Sequence, residues 1–174
     1  MSGALSSNPS GLSLLSPLGF KLFIKRLPNV DFFTQRVYIP GVSSNPIDTP
    51  NPILVIPQPG DHVEFETLQI EMIIDEQMAG YFEIGDWLRG VSKESFQQYA
   101  TRASAQQMTD AGLVSDIVLT IMTSDRNPNI EINYVDAFPV SLSGLWVDST
   151  LPDIEYIKAN VSFKYTRWER TLVT

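Results

Sequence analysis

A chain of 174 residues can bury a core of its own, and one domain is the expectation for this length. It has no cysteine, which excludes disulfides and thiolate metal sites and fits a reducing compartment, and its formal net charge is −8. No apolar run approaches the length needed to cross a bilayer as a helix, and the start lacks the basic-then-apolar layout of a signal peptide.

Residues 1–18 are small and polar, with Leu12, Leu14 and Leu15 interspersed. They are expected to form an N-terminal arm ahead of a domain spanning 19–174. Residues 19–25 alternate Phe20, Leu22 and Ile24 with Lys21, Phe23 and Lys25, the period of a strand, and Pro28 is expected to end it. Residues 32–39 read as a second strand, closed by the turn pair Pro40-Gly41.

Residues 42–60 hold Pro46, Pro50, Pro52, Pro57 and Pro59. Proline cannot donate to a ladder, so this segment is expected to be an extended arm with at most an edge strand near Ile53–Ile56. It is long for an internal connection. It also carries Ile47, Ile53, Leu54, Val55 and Ile56, apolar residues that need a place to bury.

Residues 62–74 return to sheet, with Leu68, Ile70, Met72 and Ile74 on one face. Asp75 stands where a helix N-cap belongs. Tyr81, Ile84, Trp87 and Leu88 then recur at helical spacing until Gly90, a stop residue. A second helix is expected within 93–111. Residues 117–122 and 130–134 form the arms of a hairpin, 136–139 turn again, and 157–165 alternate as a closing strand. The fold class is therefore mainly β: two packed antiparallel sheets, as a sandwich or barrel, with one flanking α-helix.

Chemistry is sparse. A single histidine, His62, rules out a two-histidine metal site within one chain. The stretch Val140-Ser141-Leu142-Ser143-Gly144 lacks the first glycine of a nucleophile elbow. Asp125-Arg126-Asn127-Pro128-Asn129 lacks the spaced ligands and closing glutamate of a calcium loop and reads as a hairpin turn. The Asn160-Val161-Ser162 sequon lies inside a strand. Asp75-Glu76 is better explained by capping than by paired-acid catalysis, and Trp87, Trp146 and Trp168 are expected in the core. No cofactor, metal or catalytic residue is expected, and the chain is not read as an enzyme.

Charge is unevenly spread. Between Lys21 and Arg36 there are four basic residues and one acid; from 37 to 88 there are nine acids and no Lys or Arg. Two readings stand: ordinary solubility charge, or a negative surface that does not retain DNA, because phosphate binding needs Lys and Arg.

In their order and spacing these elements resemble the tail tube protein family of contractile-tailed bacteriophages, including tube-like baseplate proteins. The residues that carry the resemblance are Pro40-Gly41 before the arm, Gly60-Asp61 through Phe65 to Asp75-Glu76, and Trp87 on the helix. To these are added 117–122, 130–134 with Phe138-Pro139, and the closing strand with Trp168-Glu169. The resemblance implies a structural virion protein whose homo-hexameric rings stack into a conduit for DNA ejection. It places the arm at 42–60, with Pro40, Gly41, Ile47, Ile53, Leu54, Val55, Ile56 and Gly60 at ring or inter-ring contacts. Asp75, Tyr81, Ile84 and Trp87 remain the helix cap and core.

Implied partners are further copies of itself, other tail or baseplate proteins and a sheath. DNA would pass without specific binding, and no membrane is involved. The implied location is the virion tail, after assembly in the host cytoplasm. Alternatives within the resemblance are a tube-like baseplate or tube-end protein, or the inner tube of a related contractile injection system. The extension at 1–18 and the abundance of prolines in the arm set this chain apart from the main tube subunit.

Overall fold

The computed structural model describes residues 14–15, 17–50, 53–92, 97, 100, 112–150 and 156–172. In chain order its elements are β1 (Phe20–Ile24), α1 (Pro28–Phe33), β2 (Thr34–Tyr38), β3 (Val42–Ser44), β4 (Ile47–Thr49), β5 (Ile56–Gln58) and β6 (Val63–Phe65). There follow β7 (Leu68–Ile73), α2 (Ala79–Val91), β8 (Ser115–Met122), β9 (Pro128–Leu142), β10 (Lys158–Lys164) and β11 (Arg167–Leu172). The helix expected within 93–111 falls, apart from Gln97 and Ala100, outside the described residues, as does most of the arm at 1–18.

Six strands follow one hydrogen-bonded path, β1-β8-β9-β10-β7-β2, and β11 pairs with β9 beside it, all antiparallel. The long β9 folds this path into two layers. Its first part lies between β8 and β11, making sheet A (β1-β8-β9-β11); its last part pairs with β10, making sheet B (β9-β10-β7-β2). The bend falls at Asp136, a non-glycine residue with φ of 55°, opposite a bulge at Ser115–Ile117. The Asp116 carboxylate accepts the Asp136 N–H at 3.2 Å and holds the corner. Sequence pattern reads 136–139 as a chain reversal. The structure shows a kink that passes one strand from sheet A to sheet B.

The inward faces meet in one core. Leu22, Ile24, Ile117, Leu119 and Tyr134 come from sheet A, and Leu68, Ile70, Met72, Val161 and Phe163 from sheet B. Alternation is clean in β7, β8 and β10, so each buries every second residue. The Tyr134 and Tyr165 rings meet edge-on with centroids 4.9 Å apart.

α2 closes this core with Ile84 and Trp87, both fully buried. The Trp87 ring lies 5.9 Å from that of Phe163, and its Nε1–H donates to the Leu113 carbonyl at 2.8 Å. The Arg26 guanidinium sits 4.9 Å from the Trp87 ring centroid and also donates to the Gly112 carbonyl. Trp87 thus ties the helix, the turn after β1 and the segment entering β8.

The structure adds α1, which sequence periodicity misses. Pro28 begins this helix at its first turn rather than only ending the strand before it, a position where a missing N–H costs nothing. At six residues the helix is too short to display a 3.6 period. β11 also appears as a strand of its own, continuing the line of β10 along β9.

Candidate assembly surface

The arm is the outer end of the β2–β7 hairpin. Val37 pairs with Ile70 and Val42 with Phe65 in one unbroken register; beyond it, β4 pairs with β5 as Ile47 with Gln58 and Thr49 with Ile56. The expectation of an extended arm with at most one edge strand is corrected: 42–44 pair with 63–65 and 47–49 with 56–58, as a two-stranded ribbon. Prolines are tolerated because a two-stranded ribbon has two solvent edges. Pro57, opposite Asp48, can turn its missing donor outward.

The ribbon steps where Asn45-Pro46 faces 59–62. There Gly60 lies so close to Asn45 that a Cβ would stand 1.7 Å from the Asn45 carbonyl oxygen. Only glycine fits, and the reason is close backbone approach rather than an unusual φ.

The root of the ribbon is gripped by Glu66. Its Oε2 accepts from the Tyr38 hydroxyl at 2.9 Å and from the Gly41 N–H at 3.0 Å, while its own N–H donates to the Gly41 carbonyl. These bonds hold the Glu66 carboxyl below its usual pKa, the Gly41 amide first and the Tyr38 hydroxyl second. The same bond raises the Tyr38 hydroxyl. A Cβ on Gly41 would press the Glu66 carboxylate at 3.2 Å. Pro40, beside it, is buried.

Alternation puts Val42, Val63 and Phe65 on one ribbon face at the root, and Ile47 and Ile56 together on one face farther out. All but Phe65 are exposed, and Ile53, at the tip, is 90% exposed, with Leu54 and Val55 also open. The expected contact residues are therefore brought together on one projecting ribbon. Asp75, Tyr81, Ile84 and Trp87 lie apart from them, at α2.

At α2 the N-cap position is taken by Met78 in a left-handed conformation, without a side-chain cap bond. Asp75 reaches across this turn, and its Oδ2 accepts the Ala79 N–H at 3.3 Å. The helix runs one residue past Gly90 and closes at Ser92, whose N–H donates to the Leu88 carbonyl. Tyr81, partly buried, donates to the Ser143 carbonyl at 3.2 Å.

Two further exposed apolar features are not anticipated. Trp146 is 92% exposed in the β9–β10 connection, where Val147 and Tyr156 are exposed too, and Trp168 on β11 is 38% exposed. Only Trp87 of the three tryptophans is core. The sequence signal for the others was aromatic character alone, which does not distinguish a core from a surface that a partner covers. Glu66 and Tyr38 carry no local motif, and only the hairpin register brings them together.

The acids of 37–88 are dispersed. Asp48 and Glu64 lie on the ribbon, Glu83 and Asp86 on α2. Glu71, on sheet B, is flanked by Lys158 at 3.1 Å and Arg36 at 3.6 Å, bases from outside the acidic segment. His62 is exposed at the step of the ribbon, and among the described residues no group of three or more His, Cys, Asp or Glu could hold a metal ion. None of the described helices is long and apolar enough to cross a membrane.

Fold and surfaces together define a mainly-β protein with an exposed apolar ribbon and, among the described residues, open strand edges. The chain belongs to the phage tail tube protein family, whose model matches residues 11–171. No curated protein matches it.

Solved structures share the fold at low identity. A chain of the sheath–tube complex of an extracellular contractile injection system (PVC), in the extended state, aligns with a TM-score of 0.60 at 13% identity, covering 92% of this chain and 93% of that one. A chain of the tube-terminating cap of the anti-feeding prophage aligns at 0.60 and 11%, covering 98% and 99%. One from the 6-fold symmetrised baseplate of the same particle aligns at 0.59 and 12%, covering 95% and 97%.

Proposed function

We propose that this protein is a structural subunit of a phage tail tube, in which hexameric rings stack into a conduit for DNA during ejection. It works as architecture, with no catalytic step. The observation that carries this reading is the projecting ribbon: a family member of this fold exposes Ile47, Ile53, Leu54, Val55 and Ile56 on an arm with no core of its own. Exposed apolar residues gathered in this way mark a surface for a partner. Neighbouring rings are the proposed partner, with other tail or baseplate proteins and a sheath at the ends and outside. The particle is the virion tail, assembled in the host cytoplasm.

A second reading, a ring at the baseplate or the tube end, is favoured by one observation: cap and baseplate chains align as well as the sheath–tube chain. Deletion of 42–60 tests the arm's role. The expected result is a folded subunit that still forms single rings but no stacks. Unfolding on deletion would show that the arm belongs to the core, and unimpaired stacking would show that it does not link rings. Full-length protein that forms only single rings would favour the second reading.

A further inference from the structure

A groove of about 520 Å³ opens where the start of α2 meets the β9–β10 connection. That volume lies within the roughly 300–1,000 Å³ of clefts that hold small ligands. Ile74, Tyr81 and Leu145 pack against the core and also line the groove. Val147, Tyr156 and Ile157 extend its apolar part, and the carboxylates of Asp75 and Glu76 belong to the same lining. Trp146 stands in sequence between two lining residues and is itself almost fully exposed, as are much of Val147 and Tyr156.

The walls are fixed by the fold. The Ile74 N–H donates to the Ile157 carbonyl at 2.9 Å, which ties the end of β7 to the start of β10. The Ser143 N–H donates to the Asn160 carbonyl at 2.9 Å, and the Ser143 Oγ accepts the Asn160 N–H at the same distance. The Ser143 carbonyl accepts from the Tyr81 hydroxyl at 3.2 Å, joining the connection to α2. Both described ends of the connection are thus anchored, so docking there costs little ordering of the backbone.

Charge selects the occupant. The lining comes from residues 74–88 and 143–157, which hold four and three acids and no Lys or Arg. The bases that follow these two stretches are engaged: Arg89 lies 4.0 Å from Asp86, and Lys158 lies 3.1 Å from Glu71. Asp148 accepts the Thr150 hydroxyl at 2.6 Å and the Thr150 N–H at 2.8 Å, and these bonds hold its carboxyl below the usual range. Such a surface repels phosphates, which sets aside nucleic acid and anionic lipid. A neutral apolar segment would strip water from the carboxylates and give them nothing in return. Arg and Lys supply the opposite charge, carry aliphatic stems that lie along apolar surface, and are favoured beside tyrosine and tryptophan rings.

We propose that this groove docks a basic polypeptide segment of another protein, with apolar side chains on Ile74, Leu145 and Ile157 and an arginine or lysine at Asp75 and Glu76. Trp146 and Tyr156 close over the segment as its aromatic contacts. The surface is separate from the ribbon, and the inference does not depend on the ring reading.

Trp146 reports occupancy. A synthetic peptide that repeats Arg-Leu-Ala, titrated into the full-length protein, is expected to shift tryptophan emission to shorter wavelength, and Trp146→Phe is expected to abolish the shift. Peptides that repeat Glu-Leu-Ala or Gln-Leu-Ala are expected to bind roughly tenfold more weakly or worse by calorimetry. Glu76→Lys and Tyr156→Ala alter exposed residues and are each expected to weaken the Arg-Leu-Ala peptide roughly tenfold. Asp48→Lys, the same charge change on the ribbon, is expected to leave its affinity close to wild type.

No binding of the basic peptide, equal binding of the acidic or neutral peptide, or equal weakening by Asp48→Lys and Glu76→Lys would overturn the docking. Shielding of Trp146 from acrylamide on self-assembly alone would show that a second copy fills the groove, and would overturn it as well. Each of these results leaves the ring reading intact, and a protein that forms no rings yet binds the peptide at Glu76 and Tyr156 would uphold the docking alone.

Discussion

Substitution of Gly60 by Ala isolates the arm from the core. The added Cβ would lie 1.7 Å from the Asn45 carbonyl oxygen, where real Cβ contacts essentially never fall under 3.0 Å, so the strands must part by at least about 1.3 Å. The obstructing atom is backbone, so no rotamer change relieves it. The strain falls at the step between the β3–β6 and β4–β5 pairs, where the ribbon has only two strands to resist it. About seven residues separate Gly60 from the tip, roughly 23 Å of extended chain, so a small opening at the step swings the apolar tip by several ångströms.

The core cluster contains no ribbon residue beyond Phe65. The expected outcome is a melting temperature close to wild type, faster hydrogen exchange at 45–60 and loss of tube formation. Tubes of wild-type yield would refute the reasoning, because the tip would then reach its contact without a defined ribbon. A large drop in melting temperature would refute it from the other side, because the step would then be part of the core.

Other outcomes follow from single contacts. Trp87→Ala empties the largest buried site, and a loss of about 3–5 kcal/mol in denaturant unfolding is expected; Trp87→Phe, which keeps most of the packing and loses the Leu113 bond, is expected to cost far less. Asp75→Ala, which removes the acceptor of the Ala79 N–H, is expected to cost about 1 kcal/mol, read in the same assay, and to abolish no chemistry.

Burial raises the Asp31 carboxyl from its ordinary 3.8 to about 6, against the lowering effects of the Ile24 N–H and Lys21. The folded state therefore holds more protons than the unfolded chain between those values, and this group makes stability fall as pH rises through them. Asp31→Asn keeps an oxygen for the Ile24 N–H and removes that slope, a difference visible in paired melts at pH 4 and pH 6. Glu66 has the opposite sign. Its carboxyl is held low, so its support of the ribbon root is full above the ordinary glutamate range and is lost as pH falls through the lowered value. Protection of the Gly41 and Glu66 amides, taken as exchange relative to the intrinsic rate at each pH, is expected to fall on acidification in wild type and to be low at neutral pH in Glu66→Ala.

The legible parts of this chain are those whose partners lie within it. β7, β8 and β10 each bury one face against the same core, so their period of two survives in the residues. α2 shows its inward stripe through Ile84 and Trp87. What was illegible answers to geometry beyond a local window. Asp136 looks like a turn residue and is one in conformation, yet the bulge beside Asp116 makes the chain bend rather than reverse.

The prolines of the ribbon look like strand breakers because a central strand would reject them, while a two-stranded ribbon does not. β11 is written as Arg-Trp-Glu-Arg-Thr-Leu, with every residue exposed in the single chain. It buries no face within the chain, so no period of two marks it as a strand. Ile53 and Trp146 have apolar side chains that would be assigned to a core by composition and lie on the surface here.

The most direct test of the account is electron microscopy of the purified full-length chain at high concentration. The account predicts rings of uniform size with a continuous wall, stacking into hollow tubes. A protein that remains strictly monomeric, with neither rings nor tubes, would contradict it.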